Sequence, residues 1–254
     1  MKTLSFYIVF HKEVHQGNTS SFSEESNKKY LKWVAVNEKI SKNYPSWIPK
    51  ECLMKEWEMK IHTPVYQMTN FYQNSTFLHL FWNKEYEKSK YIGFGQYDMG
   101  FDVSEFDKMD SVLKGSEDTV YGAFIYNFTA ILPAYPYELL EHMFLKPYNT
   151  FYGTSHTFDK LKEMPLFLLH TFIIPSWFFA HMMPFIESNI PQILRILQWD
   201  TRHLAGTLER IFALCIACGM LEGKLRNILP LLGVKEKHEQ RIEDSFRGIS
   251  TGTI

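Results

Sequence analysis

Hydrophobic residues occur along this chain in short runs separated by polar segments, and the spacing within each run predicts its secondary structure. Leu4–Phe10 is rich in β-branched and aromatic residues, which is typical of a buried strand. Ser21 and Glu24 have the spacing of a capping box, so a helix is predicted to begin there. The apolar residues assigned to this helix are Tyr30, Leu31, Trp33, Val34, Val36 and Ile40.

The same order of strand and helix continues through the first hundred residues. Ser75–Glu87 carries its large hydrophobic residues on one stripe, as an amphipathic helix does. Lys90–Asp98 is hydrophobic at first and ends in a polar turn. Because successive strands joined by a helix pair in parallel, we predict an α/β fold with a mostly parallel central sheet flanked by helices.

The second half of the chain is predicted to be mainly helical. Phe167–Ile174 has the pattern of a buried strand, and Ser176 is the predicted N-cap of an apolar helix that begins at Trp177. Another helix is predicted over Leu204–Leu221. The charged segment Lys235–Asp244 is predicted to be a solvated helix.

One segment raises the question of a membrane span. Met164–Ile186 contains no Asp, Glu, Lys or Arg and is long enough to cross a bilayer. Three prolines and two histidines interrupt it, and polar groups inside a membrane are costly. A buried strand and helix are therefore the favoured interpretation, while peripheral membrane contact through exposed aromatic residues stays open.

The composition narrows the class of protein. The chain has 254 residues, enough for one large domain, and its formal net charge of -1 lacks the basic excess of a nucleic-acid-binding protein. Its three cysteines are too few for a disulfide framework, so we expect a cytoplasmic protein. Cys215 and Cys218 have redox spacing but lie in an apolar run, which favours a core helix. The aromatic content of 16% indicates either a ring-rich core or a cleft for a flat or sugar-like ligand.

The candidate chemistry lies where the predicted strands end, because ligands bind beyond the carboxyl ends of strands in open α/β sheets. Gln96 and Asp98 lie on the same side of an extended chain, with Tyr97 opposite. An amide oxygen and a carboxylate at this spacing could bind Mn²⁺ or Mg²⁺ together with diphosphate oxygens. The alternative for Asp98 is an ordinary turn residue or helix cap.

Several stretches together resemble a family of capsular-polysaccharide glycosyltransferases. Asn74–Asn83 followed by Lys90–Asp98 is similar to the family's helix ending in a Trp-Lys-Asn-type sequence and its Tyr-Ile-Gly-x-x-His-Tyr-Arg-Arg strand. His170–Ile174, Trp177–Glu187 and Arg202–Arg210 resemble three further family stretches in the same order. In the last of these, Ala205 occupies the place of the glycine in the family's Gly-x-x-x-Glu-Arg sequence.

The resemblance implies a GT-A-like domain over residues 1–230, followed by a charged C-terminal helix and tail over 231–254. It implies a transferase that uses a UDP- or GDP-linked sugar donor and a saccharide acceptor in polysaccharide or glycan synthesis. This chain has Gln96-Tyr97-Asp98-Met99 where the family has His-Tyr-Arg-Arg. Because an acidic turn replaces a cationic one, dependence on a divalent cation is a prediction from this sequence and not from the family.

The loop after the first strand is predicted to bind the nucleotide, together with residues near the second strand end and before the last long helix. The predicted nucleotide-sugar-binding residues are His11, His15, Asn18, Thr19, Gln96, Tyr97 and Arg202. The loop could equally be an ordinary polar surface loop. For the base that would deprotonate the acceptor hydroxyl in an inverting transfer, the candidates are Glu209 and Asp200. Their alternatives are a buried ion pair for Glu209 and a helix cap for Asp200.

Rings, hydroxyls and an amide alternate over Tyr148–His156, a segment predicted to be a turn. The predicted acceptor-binding residues are Tyr148, Tyr152, His156 and Trp199. A loop that packs its own aromatic residues is the alternative.

Two other classes of protein stay open beside the enzyme: a noncatalytic carbohydrate-binding module and a membrane-associated scaffold protein.

Overall fold

The computed structural model describes residues 1–11, 24–38, 46, 48–68, 71, 73–97, 99–101, 103–123, 125–126, 128, 137–231 and 234–236. The strands in chain order are β1 Lys2–Phe10, β2 Leu31–Ala35, β3 Leu53–Lys55, β4 Ser89–Gln96, β5 Met99–Phe101, β6 Thr119–Gly122, β7 Ile125–Tyr126, β8 Leu166–Phe167, β9 Phe172–Pro175, β10 Asn227–Pro230 and β11 Val234–Glu236. The helices are α1 Glu24–Tyr30, α2 Pro64–Met68, α3 Gln73–Trp82, α4 Val103–Lys114, α5 Tyr137–Leu140, α6 Lys146–Tyr152, α7 Phe158–Leu161, α8 Ser176–Ile196 and α9 Leu204–Leu221.

The centre of the fold is a sheet of seven strands in the order β10-β6-β9-β4-β1-β2-β3. All neighbouring pairs in this sheet are parallel except the two that β9 makes, with β4 and with β6. The predicted α/β class with a mostly parallel sheet is therefore confirmed. Two small antiparallel pairs, β5 with β11 and β7 with β8, lie outside this sheet.

A hydrophobic cluster covers each face of the central sheet, and the side chains along β1 point alternately into one cluster and the other. Tyr7 packs in the larger cluster with residues of α3, α8 and α9. Phe6 and Ile8 pack in the smaller one with residues of α4. The ring of Phe6 lies directly over β4, where a Cβ built on Gly93 would come within 2.4 Å of Phe6 Cδ2. Glycine in β4 therefore allows this close approach.

The predicted helix after residue 24 is shorter than expected. Helix α1 ends at Tyr30, and Leu31–Ala35 form β2, which pairs in parallel with β1. The prediction of a helix through these residues was wrong because Leu31, Trp33 and Val34 are buried on both faces of a strand. A continuous apolar run of this kind is compatible with either structure.

The segment predicted as one strand over Phe167–Ile174 is two strands, β8 and β9, separated by a tight connection. Within that connection Leu169 and His170 have φ values of 61° and 49°. Ser176 is the first residue of α8 and not its cap, since Pro175 occupies the cap position. The predicted helix Leu204–Leu221 is confirmed as α9, and Cys215 and Cys218 are buried within it.

Helix α9 is also long and apolar enough to cross a membrane by length and composition, but 72% of it is buried inside the protein. In the predicted charged tail, Lys235 and Glu236 belong to β11, and residues 237–254 lie outside the described part of the chain. The boundary between residues 230 and 231 stays a prediction.

Candidate functional site

The candidate site lies at the carboxyl edge of the parallel strands, where β1 and β4 end side by side. The register pairs Val9 with Gln96, so the residues after both strands emerge together. The backbone N–H of Tyr97 donates to the carbonyl of Val9 at 3.2 Å. The rings of His11 and Tyr97 meet edge to face with their centroids 5.1 Å apart. Two predicted nucleotide-binding residues thus form one aromatic pair at this edge.

Gln96 does not project freely into solvent. Its side-chain amide donates to the carbonyl of Leu169 at 2.7 Å, and the hydroxyl of Thr171 donates to the same carbonyl at 3.1 Å. The backbone N–H of Ala123, just after β6, donates to the carbonyl of Thr171. Leu169 and His170 are successive left-handed residues, a conformation that is costly for residues with a Cβ. Two hydrogen bonds from neighbouring segments and one within the connection therefore hold this strained conformation at the carboxyl edge.

The side chain of His170 is buried inside this connection. Its ring lies against Phe77 and Phe212, with centroid distances of 4.8 and 5.3 Å. Among the residues that the structure describes, neither ring nitrogen has a hydrogen-bond partner. Burial lowers the pKa of His170 to about 3, so the imidazole is neutral near pH 7. A neutral ring between two phenylalanines acts as a packing residue of the connection.

Glu209 lies in the second turn of α9 and is half-buried. Loss of contact with water raises the pKa of its carboxyl group, while Arg210 and a hydrogen bond from the backbone amide of Leu169 oppose the increase. Glu209 and Gln96 therefore both contact Leu169, one through its N–H and the other through its C=O. A carboxylate with a raised pKa at this edge has the character expected of a general base.

Asp200 has different surroundings. Both of its carboxylate oxygens accept hydrogen bonds from the guanidinium of Arg202, and one also accepts the backbone N–H of Arg202. The side chain and backbone of Arg202 hold the pKa of Asp200 far below its usual range. Asp200 is therefore a weak base. Arg202, which is predicted to bind the nucleotide sugar, lies in a short 3-10 helix before α9 begins.

Trp199 is exposed beside this ion pair. The residue is 68% exposed, and both Gln198 and Trp199 are left-handed, with φ values of 52° and 63°. The connection between α8 and α9 lies at the same end of the molecule as Leu169, since α8 runs back along the sheet after β9. Trp199 is therefore a large exposed ring at the same end of the molecule as the candidate site.

The other three predicted acceptor-binding residues lie elsewhere. Tyr148–Tyr152 are helical in α6, so the predicted turn was wrong, and Tyr148 is fully buried. The Tyr148 hydroxyl donates to Glu222 at 3.0 Å, and His156 Nε2 lies 2.8 Å from the same oxygen. Glu222 follows α9, about 20 Å along its axis from Glu209.

The Tyr152 hydroxyl donates to the carbonyl of His181, and Lys224 Nζ lies 2.6 Å from Glu222. Tyr148, Tyr152 and His156 therefore belong to a polar cluster at the far end of α9. A buried Tyr148 ring cannot contact a sugar in solution, so its predicted role was wrong. Tyr152 and His156 are partly exposed, and their acceptor-binding role stays a prediction.

The remaining predicted site residues cannot be placed. His15, Asn18, Thr19 and Asp98 lie outside the described residues. Within the described part of the chain, no group of three or more His, Cys, Asp or Glu side chains could hold a metal ion. Gln96 uses its amide nitrogen for Leu169, which leaves its amide oxygen as the group that could bind a cation.

Sequence reasoning missed the Leu169–Thr171 connection, although it joins Gln96 to Glu209. The segment was predicted to be the middle of a strand, because it lies within the mostly apolar stretch Phe167–Ile174. Nothing in these residue types marks a left-handed turn, which usually contains Gly or Asn.

Comparison with known proteins supports the fold. No protein-family model matches the chain, and no curated protein matches it. Its structure is similar to that of the bifunctional glycosyltransferase WbbM in the apo form, with a TM-score of 0.62 and 12% sequence identity. The similarity covers 91% of this chain and 45% of that chain, so this chain spans less than half of the length of its structural neighbour. The shared feature is a glycosyltransferase-like α/β fold.

Proposed function

We propose that this protein is a glycosyltransferase that moves a sugar from a nucleotide-sugar donor to a saccharide acceptor. One observation carries the proposal. The fold is glycosyltransferase-like, and the carboxyl edge of its parallel strands carries the aromatic pair of His11 and Tyr97. At the same edge, the amide of Gln96 and the half-buried carboxylate of Glu209, whose pKa is raised, both contact Leu169. This edge is where open α/β sheets bind their ligands.

The donor is proposed to bind over the ends of β1 and β4. His11 and Tyr97 offer ring faces and edges to a nucleobase. Gln96 and Asp98 are proposed to bind Mn²⁺ or Mg²⁺, which would neutralise the diphosphate of a UDP- or GDP-linked donor. His15, Asn18 and Thr19 complete the proposed nucleotide-binding loop, as the sequence indicates.

The proposed base is Glu209, and the transfer is proposed to be inverting. Glu209 is the better candidate because its pKa is raised, whereas Asp200 is engaged on both oxygens by Arg202. Trp199 is the ring proposed to contact the acceptor, a saccharide on a polysaccharide or a lipid-linked precursor. Synthesis on such precursors fits a cytoplasmic protein with peripheral membrane contact.

A thermal-shift panel of UDP- and GDP-linked sugars, measured with and without manganese, tests this proposal. A donor at about 100 times its Kd should stabilise the fold by about 2.7 kcal/mol, which corresponds to a Tm increase of roughly 5–10 °C. Asp98→Asn should remove the manganese-dependent part of the increase. Asp159→Asn, at an exposed position, is the matched control and should leave it unchanged.

Two results would contradict the proposal. If no nucleotide sugar changes the Tm, the donor site is wrong. If a saccharide alone binds and no nucleotide is released from any donor, the protein is a carbohydrate-binding module. Full transfer in excess chelator would overturn only the role of the metal.

A further inference from the structure

The opposite end of the sheet contains a cleft that is far from the candidate transfer site. It has a volume of about 500 Å³, within the range of small-molecule sites, and lies where β4 begins and β9 ends. Its walls include Met1, Tyr86, Lys90, Ser176 and Trp177. Because β9 runs antiparallel to β4, its last residue brings the start of α8 to this edge.

The start of α8 has no side-chain cap. Pro175 occupies the cap position, and its side chain makes no hydrogen bond to the helix. The first N–H groups of a helix have no partner within the helix, and its N-terminus carries partial positive charge. In a helix of 21 residues this end favours an anion.

An unsatisfied hydroxyl at the same place is an independent sign of a ligand. Ser176 is only 6% exposed, and its Oγ has no hydrogen-bond partner among the residues that the structure describes. Ser176 lines the cleft, so a molecule bound there could accept its hydrogen. The serine was predicted to cap α8, and its position one residue inside the helix leaves its hydroxyl available.

The surrounding side chains indicate what kind of anion would fit. Lys90 supplies one positive charge, and no ion pair to it is present within the described part of the chain. Trp177 is 47% exposed, and its indole N–H donates to the carbonyl of Glu117 at 3.0 Å, which fixes the ring. Glu117 and Glu87 also line the cleft, and both are exposed. The positive groups at the cleft are Lys90, the terminal ammonium group of Met1 and the helix end, and the carboxylates of Glu87 and Glu117 offset most of their charge. The cleft therefore suits a single negative charge better than a double one.

We infer that this cleft binds a small amphipathic monocarboxylate. Its carboxylate would accept hydrogen bonds from Ser176 and the first turn of α8, with Lys90 nearby. Its apolar part would lie against Trp177 and Tyr86. This binding site is separate from the proposed glycosyl transfer.

Phenylacetate and its neutral analogue phenylacetamide are the probes for this site, with binding followed by isothermal titration calorimetry and ligand-observed NMR on the full chain. We expect phenylacetate to bind with a Kd on the order of 1 mM and the amide to bind at least about tenfold more weakly. Phenyl phosphate should also bind more weakly, because its second charge meets the two glutamates. Nucleotide sugars should not compete with phenylacetate.

Substitutions of Ser176 and Lys90 test whether phenylacetate binds in this cleft. Ser176→Ala should weaken binding of phenylacetate by about 3–10-fold while leaving the Tm unchanged or slightly higher, since it removes a buried hydroxyl that has no partner. Lys90→Gln should weaken binding by a similar factor. Ser188→Ala is the matched control on the same helix, because that hydroxyl already donates to the carbonyl of Phe185. The inference is overturned if phenylacetamide binds as tightly as phenylacetate, if Ser176→Ala has no effect, or if neither probe binds at 10 mM, roughly ten times the expected Kd.

Discussion

At the scale of single residues, the pKa values of Glu209 and Asp200 are shifted in opposite directions by their surroundings. Burial raises the pKa of Glu209, whereas the guanidinium and backbone N–H of Arg202 lower that of Asp200. A general base contributes roughly 10²–10⁴ in rate. We therefore predict that Glu209→Gln lowers the transfer rate at least about 100-fold and keeps the donor-induced Tm increase. Asp200→Asn should change the rate only a few-fold. Initial rates with saturating donor measure both.

The same pKa predicts how the rate depends on pH. A base must be ionised, so activity is present above the pKa of Glu209 and is lost as the pH falls through it. Because that pKa is raised, the loss should begin at a higher pH than for an ordinary glutamate, which titrates near about 4.3. A profile of kcat/KM against pH that stays flat down to about pH 4 would exclude Glu209 as the base.

At the scale of elements, a buried carboxylate fixes the helix that leads into β4. Glu56, in the short 3-10 helix Glu56–Glu58, is fully buried. It accepts hydrogen bonds from the hydroxyls of Ser75 and Thr76 in the first turn of α3. A negative charge at a helix N-terminus is favourable, and these hydroxyls satisfy a carboxylate that would be costly if left alone.

Removing this carboxylate should destabilise the whole domain. Glu56→Ala leaves two buried hydroxyls and a helix end without their partner, so we expect the free energy of unfolding to fall by roughly 3 kcal/mol. The corresponding Tm decrease is roughly 6–12 °C by calorimetry. Glu58→Ala is the control two residues away, because its exposed pair with Lys55 should contribute no more than about 0.5 kcal/mol. Equal effects of the two substitutions would contradict the assigned role of Glu56.

Elements were predictable from the sequence where a pattern was long or bounded by clear signals. Strand β1 contains a short apolar run and helix α9 is a long and mostly apolar segment, and both were predicted. Strand β2, which follows Tyr30, was not predicted. A strand that is buried on both faces is hydrophobic at every position, so its sequence lacks the alternation that distinguishes a strand from a helix. The connection at Leu169 and His170 was missed for another reason: tertiary hydrogen bonds from Gln96 and Ala123 hold a conformation that these residue types do not favour.

At the scale of the whole molecule, chain topology decides which candidate residues can act together. Residues that follow parallel strands meet at one edge, so His11, Gln96 and Tyr97 could be grouped from the sequence. Helix α9 connects the two ends of the sheet, with Glu209 near one and Glu222 near the other. The packing of Tyr148 and His156 against Glu222 was not predictable from the sequence, because Glu222 lies 74 and 66 residues away from them along the chain.

Because Tyr148 and Trp199 lie at opposite ends of α9, substitutions at the two positions should have different effects. Tyr148→Phe removes a hydrogen bond to the partly buried carboxylate of Glu222, so the free energy of unfolding should fall by about 1–2 kcal/mol with no change in the acceptor KM. Trp199→Asn removes an exposed ring and keeps a residue that tolerates the left-handed conformation, so stability should be retained. If Trp199 contacts the acceptor, KM should increase roughly 5-fold. Chemical denaturation and acceptor titrations on both variants measure these effects, and an increased KM in Tyr148→Phe alone would place the acceptor at the far end of α9.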